Sequence, residues 1–294
     1  MDTNGRRDFL RTAAGLAALG GATRLTGAKS GFQIGCYTRP WDQFDYKVAL
    51  DGIAEAGYKY AGLMTHKGKT WVIITVDTTP EEAGAIGEEV RKRGMQTISI
   101  YGGDFKVAES VEIGMAGLKR LIDNCAAVRC PNLLLGGTSK ENLVEPYYKV
   151  VTECCDYAAS KKVALSVKPH GGSNATGAQC RKIIEMVGKK NFRVWYDPGN
   201  IFFYSNGEKD PVDDVHSVDG LIAGMSIKDF APPKEVILTP GTGKVNFREV
   251  LTRARKGGFR SGPLVVECLA KGDAAQVTAE AKKVRVMLEG LTRS

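Results

Sequence analysis

Histidine is scarce in this chain: His66, His170 and His216 are the only three in 294 residues. That shortage argues against a histidine-built multi-metal centre of the kind phosphodiester cleavage wants. No segment beyond the N-terminus is apolar and long enough to span a bilayer. The seven cysteines (Cys36, Cys125, Cys130, Cys154, Cys155, Cys180 and Cys268) are odd in number and match no zinc or redox spacing. Cys36 and Cys268 fall in strand-like runs and Cys125 in a helix-like one, so buried free thiols are expected. The net charge is +8, but the basic residues are scattered among acidic ones and form no stripe interleaved with aromatics. A nucleic-acid partner is therefore not expected. There is no low-complexity tract and no composition shift that would mark a domain boundary.

The first residues read as an address rather than a fold. Arg6-Arg7-Asp8-Phe9-Leu10-Arg11 precedes an apolar, small-residue run from Thr12 to Ala22, and Thr26-Gly27-Ala28 offers small residues for cleavage. This order predicts a twin-arginine export signal over residues 1–28, with a periplasmic or extracellular mature protein. Its removal takes away four basic and two acidic residues and leaves a charge of +6. The remainder, 29–294, suits one large α/β domain.

Strand-like and helix-like runs alternate along that remainder. The expected strands are Phe32–Tyr37, Tyr58–Met64, Met95–Tyr101, Asn132–Leu135, Val163–Val167, Phe192–Tyr196, Leu221–Ile227 and Pro263–Cys268. Helical patterns separate most of them; Pro80 to Gly94 has Glu81-Glu82 in its first turn and Arg91-Lys92-Arg93 in its last, an order that suits the helix dipole. Eight strands alternating with helices predict an α/β chain closed into a (β/α)8 TIM barrel. An open doubly wound sheet would want a glycine-rich phosphate turn early on, and Tyr37-Thr38-Arg39-Pro40-Trp41 lacks one.

Polar residues gather where strands end, which is where barrel active sites form. Asp197 closes the apolar run Val194-Trp195-Tyr196, and Asn200 follows a Pro-Gly turn signal that can face it back into the same space. Glu267 is the only charge in Pro263–Leu269, and a carboxylate in so apolar a strand needs a partner, a proton or a metal. Lys168 and His170 lie two apart, so alternation gives them one face, and Gly171-Gly172 would let backbone approach a ligand. Lys228 can anchor an oxyanion, and His66 can polarise a substrate oxygen. Lys228-Asp229 could equally be a surface ion pair. Gly241-Thr242-Gly243 could cap a phosphate or hydroxyl, though the motif is short.

At Tyr196-Asp197-Pro198-Gly199-Asn200, Ser226-Ile227-Lys228-Asp229, Pro240–Phe247 and Leu264-Val265-Val266-Glu267, the chain resembles the xylose isomerase-like TIM-barrel superfamily. The branch is that of sugar phosphate isomerases and epimerases, alongside AP endonuclease family 2 and inosose dehydratase-like barrels. The resemblance runs from about Phe32 to the last helix. It implies one divalent metal held by a Glu, Asp, His, Glu set at the ends of strands five to eight. Asp197 and Glu267 match the second and fourth ligands. Lys168 stands at the first glutamate, and Ser226 replaces the histidine of the usual His-x-Lys-Asp.

Two expectations follow. One is a barrel without the metal, Lys168 standing in for it. The other is a rearranged manganese, zinc or iron site on Asp197 and Glu267, with His170 as third ligand. In either case the resemblance implies a small carbohydrate substrate and an isomerase or epimerase working by proton transfer next to a carbonyl. Glu267 is the expected base, Lys168 or His170 the acid, and Lys228, Asn200 and His66 hold substrate oxygens. An inosose dehydratase-like lyase acting on a keto sugar and an inactive sugar-binding barrel are the alternatives.

Overall fold

The alternation closes on itself. A computed structural model describes residues 31–293, so the export signal expected at 1–28 lies outside the described residues. Eight parallel strands pair in sequence order and β1 pairs β8, forming a closed barrel. They are β1 (Phe32–Tyr37), β2 (Tyr60–Leu63), β3 (Gln96–Tyr101), β4 (Asn132–Leu135), β5 (Ala164–Val167), β6 (Phe192–Tyr196), β7 (Ile222–Ile227) and β8 (Gly262–Val266). The helices are α1 (Tyr46–Glu55), α2 (Pro80–Lys92), α3 (Val111–Val128), α4 (Val144–Ser160), α5 (Gly177–Val187), α6 (Pro198–Tyr204), α7 (Pro211–Asp214), α8 (Phe247–Lys256) and α9 (Ala274–Thr292). Among the described residues, no helix is long and apolar enough to cross a membrane.

Local chemistry sets several starts. Thr79 and Glu82 form a capping box at α2, and Asp273 and Gln276 form one at α9. Each satisfies two backbone donors that a helix N-terminus leaves orphaned. The expected strands and helices differ from these mostly by a residue or two at their ends. One element was missed. Asp197-Pro198-Gly199 reads as a turn, yet Asp197 is the N-cap of α6 and Pro198 its first residue. Proline at that position lacks only an N–H that the helix would leave unpaired anyway.

Two cores result. One lies between strands and helices. The other fills the barrel itself with Tyr37, Met64, Ile98, Leu134, Trp195 and Val265. Inside it the Tyr37 hydroxyl donates to Ser99 Oγ at 2.8 Å, and Trp195 Nε1 donates to Ser226 Oγ at 3.2 Å. The barrel is thus plugged below, and chemistry is confined to its C-terminal mouth. All seven cysteines are buried and free.

Candidate active site

Strand alternation builds the site. Residues two apart on a strand share a face. Trp195 and Val265 point into the barrel, and Ser226 reaches Trp195 there. Two residues past Ser166, Trp195, Ser226 and Val265 stand Lys168, Asp197, Lys228 and Glu267. The four consecutive strands β5 to β8 therefore deliver two lysines and two carboxylates to one point above the inner core.

The four meet directly. Lys168 Nζ lies 2.7 and 2.8 Å from the two Glu267 oxygens and 3.4 Å from Asp197 Oδ2. Lys228 Nζ lies 2.6 Å from Glu267 Oε1 and 3.2 Å from Asp197 Oδ2. Lys228 also donates to Asn200 Oδ1 at 3.1 Å, and Ser226 Oγ donates to Glu267 Oε2 at 2.6 Å. Arg39 adds a third cation 3.8 Å from Glu267. Lys168 is 1 % exposed, Lys228 3 %, and both carboxylates are fully buried. Ions this dry survive only because each has opposite charge and hydrogen bonds around it.

The surroundings drive the two lysines apart. Burial lowers the Lys168 pKa below the ordinary lysine value, and Lys228 beside it pushes the same way, against the pull of Glu267 and Asp197. Burial also works against charge on Lys228, but Asp197 and Glu267 more than offset it and raise that pKa. Glu267 is held well below the usual carboxylate range; burial opposes this, and Lys168, Lys228 and Arg39 overcome it. Burial and the two nearby lysines bring His170 down to about 3, so its imidazole is neutral at ordinary pH.

Above this cluster opens a cleft of about 710 Å³, lined by residues that include Tyr101, His170 and Tyr204. Burial raises the pKa of both tyrosines, and both are near enough to sense Glu267 and Lys228. They mark the boundary between cleft and cluster.

Of the expected site residues, Lys168, Asp197, Asn200, Lys228 and Glu267 come together. His170 lines the cleft beside them, its ring edge-on to Tyr204 at 5.8 Å between centroids. His66 stands apart from the cluster: its ring packs edge-on to Tyr46 at 5.9 Å between centroids. Its backbone N–H donates to Trp71 O at 3.0 Å, in a short hairpin carried by the Thr65–Val72 bridge. Gly171 and Gly172 line the cleft, but protein neighbours already crowd them. With φ of +87° and +55°, a side chain on Gly171 would meet the Tyr204 ring and one on Gly172 the Ser139 backbone.

Asp229 is neither a surface ion partner nor a ligand anchor. It is fully buried and accepts from the backbone N–H groups of Phe230, Gly241, Gly243 and Val245 at 2.8 to 3.0 Å. Of the Gly241-Thr242-Gly243 amides expected to cap a phosphate or hydroxyl, those of Gly241 and Gly243 are thus committed to Asp229, and that of Thr242 donates to Thr239 O. Asp229→Ala would orphan these donors at about 1–3 kcal/mol for a buried group left unsatisfied. Limited proteolysis should then cut within residues 231–246 where the wild-type loop resists; equal resistance would count against Asp229 as the anchor.

Sequence reasoning missed Arg39, Tyr101 and Tyr204. The first two follow or end strands β1 and β3, so the strand-end rule could have found them. Tyr204 closes α6, which was not foreseen, and it had no signal.

The donor set does not fit a divalent cation. The oxygens of Asp197 and Glu267 that would face a metal face two ammonium groups, and the two missing ligand positions hold Lys168 and Ser226. Among the described residues no group of three or more His, Cys, Asp and Glu side chains could hold a metal. A third ligand from His170 is not part of the arrangement.

A family model for the xylose isomerase-like TIM barrel matches residues 50–289. The chain belongs to the xylose isomerase-like TIM-barrel family. Solved barrels of this kind share its fold. A xylose isomerase domain protein from Planctomyces limnophilus aligns at TM-score 0.67 and 20% identity, over 88% of this chain and 97% of that one. A D-psicose 3-epimerase studied with D-fructose aligns at 0.71 and 13%, over 90% and 100%. An L-ribulose 3-epimerase aligns at 0.66 and 15%, over 89% and 94%. No curated protein matches the chain by sequence. Within this xylose isomerase-like barrel, then, strands five to eight carry Lys168, Asp197, Ser226 and Glu267 at the four positions where the resemblance led us to expect a metal set.

Proposed function

We propose that the protein acts on a carbohydrate by moving a proton at a carbon next to a carbonyl, as isomerases and epimerases do. The family and the sugar epimerases that share the fold support the substrate class. One observation carries the chemistry: two buried lysines at the barrel mouth, with pKa values displaced in opposite directions. Ionisable groups driven apart in this way suit a base and a fixed charge. Lys168, as the neutral amine, takes the proton from carbon. The C–H electrons form the C=C bond of an enediolate, and the carbonyl oxygen takes up negative charge. Lys228 remains an ammonium and stabilises that oxygen. Returning the proton to the former carbonyl carbon, while the hydroxyl proton of the first carbon passes to the oxyanion, isomerises the sugar; protonating the first carbon from its opposite face epimerises it. Loss of a neighbouring hydroxide instead would give the inosose dehydratase-like lyase outcome.

Glu267, the base expected from the sequence, accepts from Lys168, Lys228 and Ser226. In this scheme it orients the two lysines. Since Lys168 is 1 % exposed, substrate reaches it only when side chains at the cleft boundary yield.

The test is exchange of sugar C–H protons for solvent deuterium, followed by NMR over a panel of ketoses and aldoses. Lys168→Met should fold and lose exchange by about 10²- to 10⁴-fold, the usual contribution of a positioned base. Neutral Lys168 accumulates as pH rises, so the wild-type rate should climb along a limb below the ordinary lysine value of about 10.4, and the variant should lack that limb. Retained exchange in the variant would remove Lys168 from the base role. A second reading rests on the same burial: the four charges satisfy one another, as a structural plug beneath a cleft that binds sugar without turnover would. Sugar binding without exchange, in the wild type, would favour that reading.

A further inference from the structure

The cleft is larger than one pyranose ring needs. At about 710 Å³ it lies in the upper part of the range, about 300–1,000 Å³, that encloses drug-sized ligands. Its inner end is the wall of Tyr101, His170 and Tyr204 beside the charged cluster. It extends to Asp104, Ser139 and Trp71.

Trp71 is unlike the other two tryptophans. Trp41 and Trp195 are fully buried in packed interiors, whereas Trp71 is 56 % exposed. An indole half open to water on a cleft wall offers an aromatic face that a ligand can cover. Its position is held: Trp71 O accepts from His66 N at 3.0 Å and Ile73 N donates to Met64 O at 3.0 Å, so a short hairpin presents the ring. The neighbouring wall carries Asp104 and Ser139, a carboxylate and a hydroxyl suited to hydroxyl-rich ligands. A sugar ring has apolar C–H faces and a hydroxyl rim. An aromatic face beside polar groups matches that pattern.

We propose that the cleft takes a ligand of at least two rings, a disaccharide or glycoside, with one ring at the His170 end and the second stacked on Trp71. This rests on the carbohydrate reading above and extends it to substrate size. His66 then serves recognition indirectly, through the hairpin that positions Trp71, and not as a group polarising a substrate oxygen.

The test uses the whole mature protein, titrated with glucose and fructose and with cellobiose and maltose, by calorimetry and tryptophan emission. With Trp41 and Trp195 buried, an emission shift on binding reports Trp71. Disaccharide binding should shift emission to the blue, and monosaccharide binding should leave it in place. Trp71→Ala should weaken disaccharide binding by about 3- to 10-fold, the scale of one aromatic stacking contact, and leave monosaccharide binding unchanged; Trp71→Phe should recover part of the loss. The proposal fails if neither disaccharide binds, if emission is silent, or if Trp71→Ala weakens both ligand sizes equally or neither. Repeating the titrations on Lys168→Met separates the two readings: the outer subsite should survive in a protein that no longer exchanges protons.

Discussion

Lys168→Glu combined with Ser226→His should bind about one equivalent of manganese or zinc by elemental analysis and calorimetry, where the wild type binds none above background. The double change supplies the glutamate and histidine that the family resemblance expects and that this chain replaces. Asp197 and Glu267 already occupy the other two corners. Lys228 can stay, because the resemblance places it at the lysine of the expected His-x-Lys-Asp motif. Lys168 decides the matter electrostatically. A unit charge about 4 Å away is worth on the order of 4 kcal/mol at an effective dielectric near 20, and a divalent ion doubles that repulsion. Reversing the sign at residue 168 therefore changes both charge and ligand count. A folded double variant without metal would show that the carboxylate positions cannot serve a cation even when freed. Stoichiometric metal in the wild type, lost in Asp197→Ala, would show that the two ammonium groups yield to it.

Glu267→Gln should lower stability by about 3–5 kcal/mol, the usual result of stripping one partner from a buried ion pair. At roughly 2–4 °C per kcal/mol for a chain of this size, Tm should fall by about 6–20 °C. Glu267 sits among Lys168, Lys228, Ser226 and Arg39, and the amide would leave two buried ammonium groups sharing Asp197. The pH response has a definite sign. The folded-state pKa of Glu267 lies below its unfolded value, so its contribution is present above the unfolded value and is lost as pH falls through the folded one. The wild-type Tm should thus decline on acidification below about pH 4.3 more steeply than that of the variant. Adding Lys168→Met to Glu267→Gln should restore part of the loss, because the charges again balance; a double-mutant cycle measures that coupling. A change of less than about 2 °C in the single variant would mean that water or rearrangement already satisfies these lysines.

Much of this was legible before any coordinates. Asp197 and Glu267 each end an apolar strand, and a lone carboxylate there is expensive unless something answers it. Lys168 and Lys228 fall on the same inward alternation. The strand periodicity that revealed the barrel therefore also aimed all four side chains. Asp229 shows the limit of that reasoning. It follows Lys228 directly in sequence, yet alternation turns it the other way, where it holds the backbone of residues 230–245. His66 shows another limit: a polar residue after a strand was a sound candidate, but the chain turns back at once and uses its backbone to set Trp71 in place.

Local sequence thus determined the barrel and the four strand-end charges, because periodicity and strand-end chemistry are short-range properties; the expected metal set was implied only by the family resemblance. Tertiary structure alone decided that two lysines, not one, occupy the carboxylates. It alone assigned Asp229 to a loop, left Trp71 bare on a wide cleft and put Tyr101 and Tyr204 at the boundary. Those outcomes depend on side chains separated by tens of residues or more converging at one mouth, and on how completely each is removed from water. Spacing along a chain encodes direction within one strand, but distance and dielectric between strands exist only once the barrel has closed.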